Sequence, residues 1–491
     1  MTTSRKKHAA CIAYVSQNQL TIAGFETPFS KNLDKNNRWV VLAGKIPWDE
    51  LAGIYLKRFS VKSTGRPPLN PRIVVGSIII KHMCNLDDRE TVAQITENMY
   101  MQYFLGYSSF NSEPPFDPSL FVEFRKRLGD DVIAEMNERI ISLSEEKDNK
   151  GDDDLSGDYE NKGTVILDAT ACPQDIAYPT DLNLLSEARQ ITERLIDTIY
   201  DSAIDTKKPR TYREIARKEY LQTAQKKSPQ HKTIRKAVGK QLRYLKRNLK
   251  SIDKLLDRRQ TFPLDSKDQR YLMIIHTLYQ QQLEMYEEKK HSIADRIVSI
   301  HQPHVRPIVR GKLKAKVEFG SKIHVSLTNG FAYLDTISWD AFSESAAMMG
   351  YIEQYWQRFG YYPEKVLADQ VYCTRENRRK LKELGIRLIA KPLGRPKAVA
   401  DHVRPGHRNP IEGKFGQAKN AYGMNRIRAR LKETSQSWIA SIIMVLNLVK
   451  LAGEAPLCLL SYSAWQRLIC KIFEEILSIL LLRPKLACFG A

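Results

Sequence analysis

The sequence predicts a mixed α/β fold: a sheet broken after its first strand by a long helical insertion, with an α-helical domain in front. Three observations carry this. Short β-type runs recur at residues 164–168, 317–339, 365–369 and 386–390, with helical stretches between the later ones. Apolar residues at helical spacing fill most of the first 143 residues. Between the first two β-type segments lie well over a hundred residues of helical, strongly basic sequence.

Each element follows from local signals. Residues 71–84 form a strongly apolar run, containing Ile73, Val74, Val75, Ile78, Ile79 and Ile80. Asp87 is an N-cap for a helix through Tyr103 with Val92, Ile95 and Met99 on one face. Asp117-Pro118 opens another helix through Arg127, a cap followed by proline at the first helical position. Two short helices joined by a tight turn here read either as a DNA-reading helix-turn-helix or as ordinary packing. Residues 145–160 read as an acidic linker. Residues 231–260 place Val238, Leu242, Leu245, Leu249, Ile252 and Leu256 at spacings of four and three, a coiled-coil-like seam. Asn329-Gly330 between two β-type runs predicts a hairpin. A helix at 344–359, a strand at 365–369, a basic helix at 374–384, a strand at 386–390 and a helix opened by Asn409-Pro410 complete the order. The expected domains are residues 1–143, a linker at 144–163, a catalytic domain at 164–181 and 311–452, an insertion at 182–310, and a helical segment at 453–491.

Composition narrows the partners. With 42% hydrophobic and 27% charged residues the chain is globular rather than disordered. Its net charge of +21 points to a polyanion. That charge is concentrated: residues 201–260 hold 19 basic against 6 acidic residues, and residues 371–432 hold 17 against 4. The rest of the chain is slightly acidic, so the charge forms two focused blocks, the pattern of an anion track. The helical block reads either as a solvated face or as an arm gripping phosphates. Seven scattered cysteines without a CxxC pair argue against a disulfide framework or zinc ribbon and fit a reducing cytosol. No signal peptide is apparent, and the apolar segments 438–452 and 472–482 are each interrupted by polar or charged residues, so core helices are expected rather than membrane spans.

Two of the β-type runs end in carboxylates, Asp168 and Asp369, and strand ends are where α/β sites assemble. A third acid, Glu412, lies one turn into the helix after Asn409-Pro410. Three oxygen donors without His or Cys suit Mg²⁺, with Mn²⁺ as a substitute. Glu412 has a competing reading, as the N3 residue of a capping box with Asn409 as N-cap. Arg408 and Lys419 flank Glu412, and Arg426, Arg428 and Arg430 extend the positive surface downstream. Such cations beside a carboxylate suit adjoining phosphates.

Several of these stretches together resemble a known family. They are Arg66-Pro-Pro-Leu-Asn-Pro71 through Leu86-Asp-Asp-Arg-Glu90 to Tyr103-Phe-Leu-Gly106, and Phe116-Asp-Pro-Ser-Leu-Phe-Val-Glu-Phe-Arg-Lys-Arg-Leu-Gly129. Further on come Val165-Ile-Leu-Asp-Ala-Thr170 with Tyr178-Pro-Thr-Asp181, then Val366-Leu-Ala-Asp369, then Arg408-Asn-Pro-Ile-Glu-Gly-Lys-Phe-Gly-Gln-Ala-Lys419. The chain resembles a DDE transposase of a bacterial insertion sequence, a group with a ribonuclease H-like catalytic domain. The resemblance implies that Asp168, Asp369 and Glu412 are the catalytic, metal-binding triad and that Arg408 and Lys419 contact DNA. It implies Mg²⁺-dependent cleavage at the element's ends and 3′-hydroxyl transfer into target DNA. The helical N-terminal domain would bind the terminal repeats, and the active form would be a homodimer or larger synaptic assembly, cytoplasmic and nucleoid-associated, with no membrane. The rival readings are a catalytically inactive DNA-binding descendant and a nuclease that cuts without joining. Two departures stand out: Pro405 takes the place of a Tyr usual before the Arg, and Asp369-Gln-Val-Tyr372 replaces a more familiar motif, which makes Tyr372 a weaker transfer. The acids Asp369 and Glu412 are only 43 residues apart, the long insert falling between the two aspartates.

Overall fold

Asn70 starts the longest fully buried helix of the N-terminal part, its side chain accepting from the Arg72 amide ahead of Pro71. In the computed structural model, which describes residues 14, 16, 27–58, 69–148, 161–309, 317–390, 406 and 408–453, this part holds eight helices. They are α1 (Pro28–Asn32), α2 (Arg38–Lys45), α3 (Trp48–Leu56), α4 (Pro71–Met83), α5 (Asp88–Glu97), α6 (Met99–Phe104), α7 (Leu120–Arg127) and α8 (Asp130–Asp148). α4 is apolar on every side and buried almost throughout, and Gly76 lets Leu105 approach where a Cβ would sit 2.5 Å away. The single helix expected from Asp87 to Tyr103 is two. Asp87 caps the first by accepting from the Glu90 amide, but Asn98 then breaks the chain and caps α6 by accepting from the amides of Tyr100 and Met101. α8 runs on through Asp148, into the stretch expected to be acidic linker, because Glu145, Glu146 and Lys147 are good helix formers. The remainder of the expected linker, 149–160, lies outside the described residues.

α4 is enclosed, whereas α5 presents Arg89, Glu90 and Glu97 to solvent.

β1 (Thr164–Pro173) is the centre of the sheet. The insertion follows as α9 (Asp181–Ile199), α10 (Arg213–Ala224), α11 (His231–Leu256) and α12 (Ser266–Glu288). Its seam residues Val238, Leu242, Leu245, Leu249 and Ile252 are buried against α9 and α12 in a core of their own, with Leu256 packed at its margin. The chain re-enters the sheet through β2 (Arg306–Val309), β3 (Val317–Thr328) and β4 (Phe331–Ser338), then α13 (Glu344–Phe359), β5 (Lys365–Leu367), α14 (Arg375–Glu383), β6 (Arg387–Ile389), α15 (Asn409–Asn420) and α16 (Lys432–Ala452). The strand order is β2-β3-β1-β5-β6, with β4 also on β3. β2 falls inside the stretch expected to belong to the insertion, yet it pairs with β3 from Arg306↔Gly320 to Val309↔Val317. Asn329 and Gly330 turn the β3–β4 hairpin at positive φ, as expected.

β1 is longer than the run that announced it. It pairs in parallel with β5 only over 164–166, but in antiparallel with β3 from Val165↔Thr328 to Pro173↔Gly320. Asp168 therefore sits inside a strand, at the point where one neighbour ends and the other continues. The extension, Ala169-Thr170-Ala171-Cys172-Pro173, is mostly small residues with little β preference of their own; pairing with β3 imposes the conformation. Gly320 is required there, since a Cβ would lie 2.1 Å from the Cys172 carbonyl oxygen.

α16 is the keystone. It is long and apolar enough to cross a membrane, but 78% of that stretch is buried among the N-terminal helices and the sheet, in line with the core helix expected at 438–452. Asn447 joins three elements. It accepts from the Ala332 amide at 2.8 Å and donates to the Ala332 carbonyl at 2.7 Å and to Asn137 of α8 at 2.8 Å. The second apolar segment, 472–482, lies outside the described residues.

Candidate active site

β1 and β5 run in parallel side by side, so the chain leaving β5 and the middle of β1 come together at one end of the sheet. Asp168 points there from β1, one carboxylate oxygen accepting from the Ala169 amide at 2.8 Å. Asp369 follows β5 and caps a single 3₁₀ turn (Gln370–Tyr372), accepting from the Gln370 amide at 2.7 Å. α15 packs across from them against β1 and α16.

Arg408 connects the two aspartates. It donates to Asp168 at 2.8 Å and pairs with Asp369 at 3.3 Å. It also occupies the N-cap position of α15, so Asn409 is the first helical residue and caps nothing. The capping-box reading of Glu412 is not realised: α15 starts at Asn409, Arg408 stands at the N-cap position, and no side-chain cap hydrogen bond is made there. Glu412 is left exposed, one turn above Arg408, on the wall of the same cleft.

That cleft measures about 610 Å³ and brings together Asp168, Asp369, Glu412, Arg408 and Lys419. Two residues that sequence reasoning missed complete it. Lys322 of β3 and Glu344, the first residue of α13, line it joined as an ion pair at 2.7 Å, and Lys322 also donates to the Phe342 carbonyl at 3.0 Å. The signal for Glu344 was an acid just after the Ser343 cap, indistinguishable from any helix start. Burial pushes the Asp168 carboxyl above its ordinary value; Arg408 opposes this, while Glu344 and Asp369 add to it.

Other expected residues fall elsewhere. Arg426, Arg428 and Arg430 are exposed beside the tail of β1, alternating with buried Ile427 and Ala429, and do not line the cleft. Arg426 pairs with Asp175 at 2.9 Å. Tyr372 is wholly buried in the core behind Asp369; burial, then Glu344 and Asp168, push its hydroxyl pKa upward. Pro405 lies outside the described residues.

Among the described residues, no three acids, histidines or cysteines stand close enough together to hold a metal ion as they are arranged. The donor set nevertheless fits a hard divalent cation: it is all carboxylate oxygen, and a positive charge, the Arg408 guanidinium, already sits between Asp168 and Asp369.

A mixed sheet with an acid-lined cleft, flanked by Arg408 and Lys419, is the arrangement to be placed among known proteins. Comparison with known proteins supplies the particular class. Residues 27–127 match a family described as "Transposase domain (DUF772)", and residues 366–449 match one described as "Transposase DDE domain". The second match contains Asp369, Arg408, Glu412 and Lys419; Asp168 and the insertion lie outside both. Over 158 residues the chain is 33% identical to "Uncharacterized protein ORF8 in nfe locus" of Rhizobium meliloti, covering 32% of this chain and 70% of that protein. No solved structure matches. The chain belongs to the DDE transposases of insertion sequences, enzymes that act on DNA.

Proposed function

We propose that this transposase cuts DNA at the ends of its element and joins the freed 3′-hydroxyl to target DNA, using Asp168, Asp369 and Glu412 as its metal-binding acids on a ribonuclease H-like sheet. One observation carries the reading: three acids from distant parts of the chain line one cleft together with Arg408 and Lys419. The three carboxylates would hold Mg²⁺, or Mn²⁺ in its place, which when bound activates the attacking oxygen and neutralises charge at the leaving one. Arg408 and Lys419, about three helical turns apart along α15, then hold phosphates to either side of the scissile bond. Lys322, lining the same cleft, adds a third cation for the same backbone. Joining two element ends calls for at least a homodimer.

The insertion serves as a second DNA-holding surface. Lys232, Lys236, Arg243, Lys246, Lys250 and Lys254 are exposed on α11 and, at 100° per residue, fall within one narrow stripe opposite the buried seam. None of the six has a carboxylate partner among the described residues. The stripe is about 33 Å long at 1.5 Å per residue, close to one turn of duplex DNA.

The test uses the full chain with DNA carrying an element end. Asp168→Asn should lower metal-dependent nicking by roughly 10²-fold or more. Nicking at the wild-type level in that variant would remove Asp168 from the chemistry. Supplying a pre-cut end separates joining from cutting: a wild-type chain that nicks but never joins would be a nuclease alone.

A further inference from the structure

α9 and α11 run parallel: Arg189 donates to Gln241, Asn248 donates to Thr192 and Arg259 donates to the Ile199 carbonyl, in that order along both helices. α12 runs back the other way, so the start of α11 and the end of α12 meet beside Asp181, only eight residues beyond the end of β1. At this root of the insertion lies a cavity of about 730 Å³. Its wall is apolar, with Val238 and Met285, and its rim is basic, with Lys232, Arg235 and Lys289.

The rim is held in place. Arg235 lies 4.3 Å from the centre of the Tyr286 ring and donates to the Tyr286 carbonyl at 2.7 Å. Gly239 makes room for Tyr286, because a Cβ there would lie 2.5 Å from its hydroxyl oxygen. The acid nearest the cavity, Asp181, is already engaged by Arg296 at 2.6 Å and Gln282 at 2.9 Å. Lys289, at the end of α12, is favoured by that helix's dipole, but Lys232 and Arg235 in the first turns of α11 are opposed by theirs. Cations gathered against a helix dipole around an apolar wall need an anion that also brings a flat apolar body.

Lys232 belongs both to this rim and to the α11 stripe, so the surface that tracks phosphates leads into the cavity. We infer that the cavity receives an unpaired nucleotide from a DNA strand lying on α11, its phosphate on Lys232 and Lys289 and its base against the apolar wall and the Arg235–Tyr286 stack. The inference rests on the reading of the insertion as a DNA-holding surface and adds to it a preference for a strand with unpaired bases.

The experiment uses the full chain without divalent metal, so that no cutting occurs. Binding is compared for a blunt duplex and for the same duplex with a single-stranded overhang ending in 2-aminopurine, whose fluorescence reports unstacking and burial. The overhang should bind roughly tenfold more tightly, with a change in 2-aminopurine emission. Lys289→Glu, at an exposed position of the rim outside the α11 stripe, should abolish the preference while still binding the blunt duplex, and Tyr286→Ala should reduce the emission change. Equal binding of both DNAs, or an overhang preference that survives Lys289→Glu, would overturn the assignment of this cavity while leaving the α11 stripe standing. Failure of the wild-type chain to bind either DNA would overturn both.

Discussion

Asp88→Asn should loosen the whole junction between the N-terminal helices and α16, at a cost that can be worked out from the surroundings. Asp88 accepts two hydrogen bonds from Arg125, at 2.9 and 2.8 Å, and pairs with Lys81 at 2.9 Å. Both cations are nearly sealed from solvent, with 1% of the Lys81 side chain and 6% of the Arg125 side chain exposed. They lie against Trp438 of α16, Lys81 at 4.6 Å and Arg125 at 5.5 Å from its ring centre. Burial works against the Asp88 charge, but Arg125 and Lys81 outweigh it and hold the carboxyl at about 2 against an ordinary 3.8. Burial also pulls the Lys81 ammonium down to about 8 in spite of Asp88. The depression of Asp88 alone corresponds to about 2 kcal/mol of stability. Removing its charge also strands two buried cations, which brings the expected loss to about 3–5 kcal/mol. The lower end is favoured, because Lys81 without Asp88 can shed its proton near neutral pH.

Urea unfolding followed by tryptophan fluorescence measures this, since Trp438 sits in the cluster. Lys81→Met is the control: it keeps the apolar stem and leaves Asp88 with Arg125, so about 1 kcal/mol or less is expected. Two pH effects accompany it. The Asp88 contribution, present above pH 3.8, is lost as pH falls through about 2. Between about pH 8 and 10.5 the unfolded chain keeps the Lys81 proton that the folded chain has lost, so stability rises with pH across that window, and Lys81→Met abolishes the rise. A cost below about 1 kcal/mol for Asp88→Asn, or a larger one for Lys81→Met, would refute the picture of a carboxylate holding two buried cations.

Arg408→Gln, in the chain without metal, leaves Asp168 and Asp369 facing each other and should lower stability by about 1–3 kcal/mol; added Mg²⁺ should raise the melting temperature more in this variant than in the wild type. Equal Mg²⁺ responses would argue that the acids do not hold the ion. Reversing charge at Lys236, Lys246 and Lys250 should flatten the dependence of log K on log salt by about 0.9 for each phosphate no longer neutralised, and an unchanged slope would make the α11 stripe merely a solvated face. Asn447→Ala deprives the buried Ala332 amide and the Asn137 side-chain oxygen of their Asn447 partner and leaves the Ala332 carbonyl to Asn137, with about 2–3 kcal/mol lost in thermal or urea unfolding. Gly320→Ala must push β3 away from Cys172, costing about 1–3 kcal/mol and reducing nicking along with stability, because the displaced pairing runs straight to Asp168.

What the sequence could and could not reveal follows from how far apart the causes lie. The α11 seam and the Asn329-Gly330 hairpin were legible because each is decided within a few residues, by period or by turn chemistry. The ends of elements were less so. β1 continues past Asp168 only because β3, far downstream beyond the whole insertion, pairs with it as far as Pro173, and no property of Ala169 to Cys172 announces that. The same distance explains the site. Asp168, Asp369 and Glu412 could be singled out one by one, each beside a strand or helix boundary. Lys322 and Glu344 could not: a lysine in a strand and an acid after a helix cap have ordinary local explanations, and only β3 and α13 folding around β1 turns them toward the cleft. The capping-box reading of Glu412 failed for a related reason. Local chemistry favours Asn409 as the cap, but in the fold Arg408 stands at that position while pairing with two carboxylates brought in by β1 and β5. Glu412 is left with no capping role and a place on the cleft wall, one helical turn from the arginine that links the two aspartates.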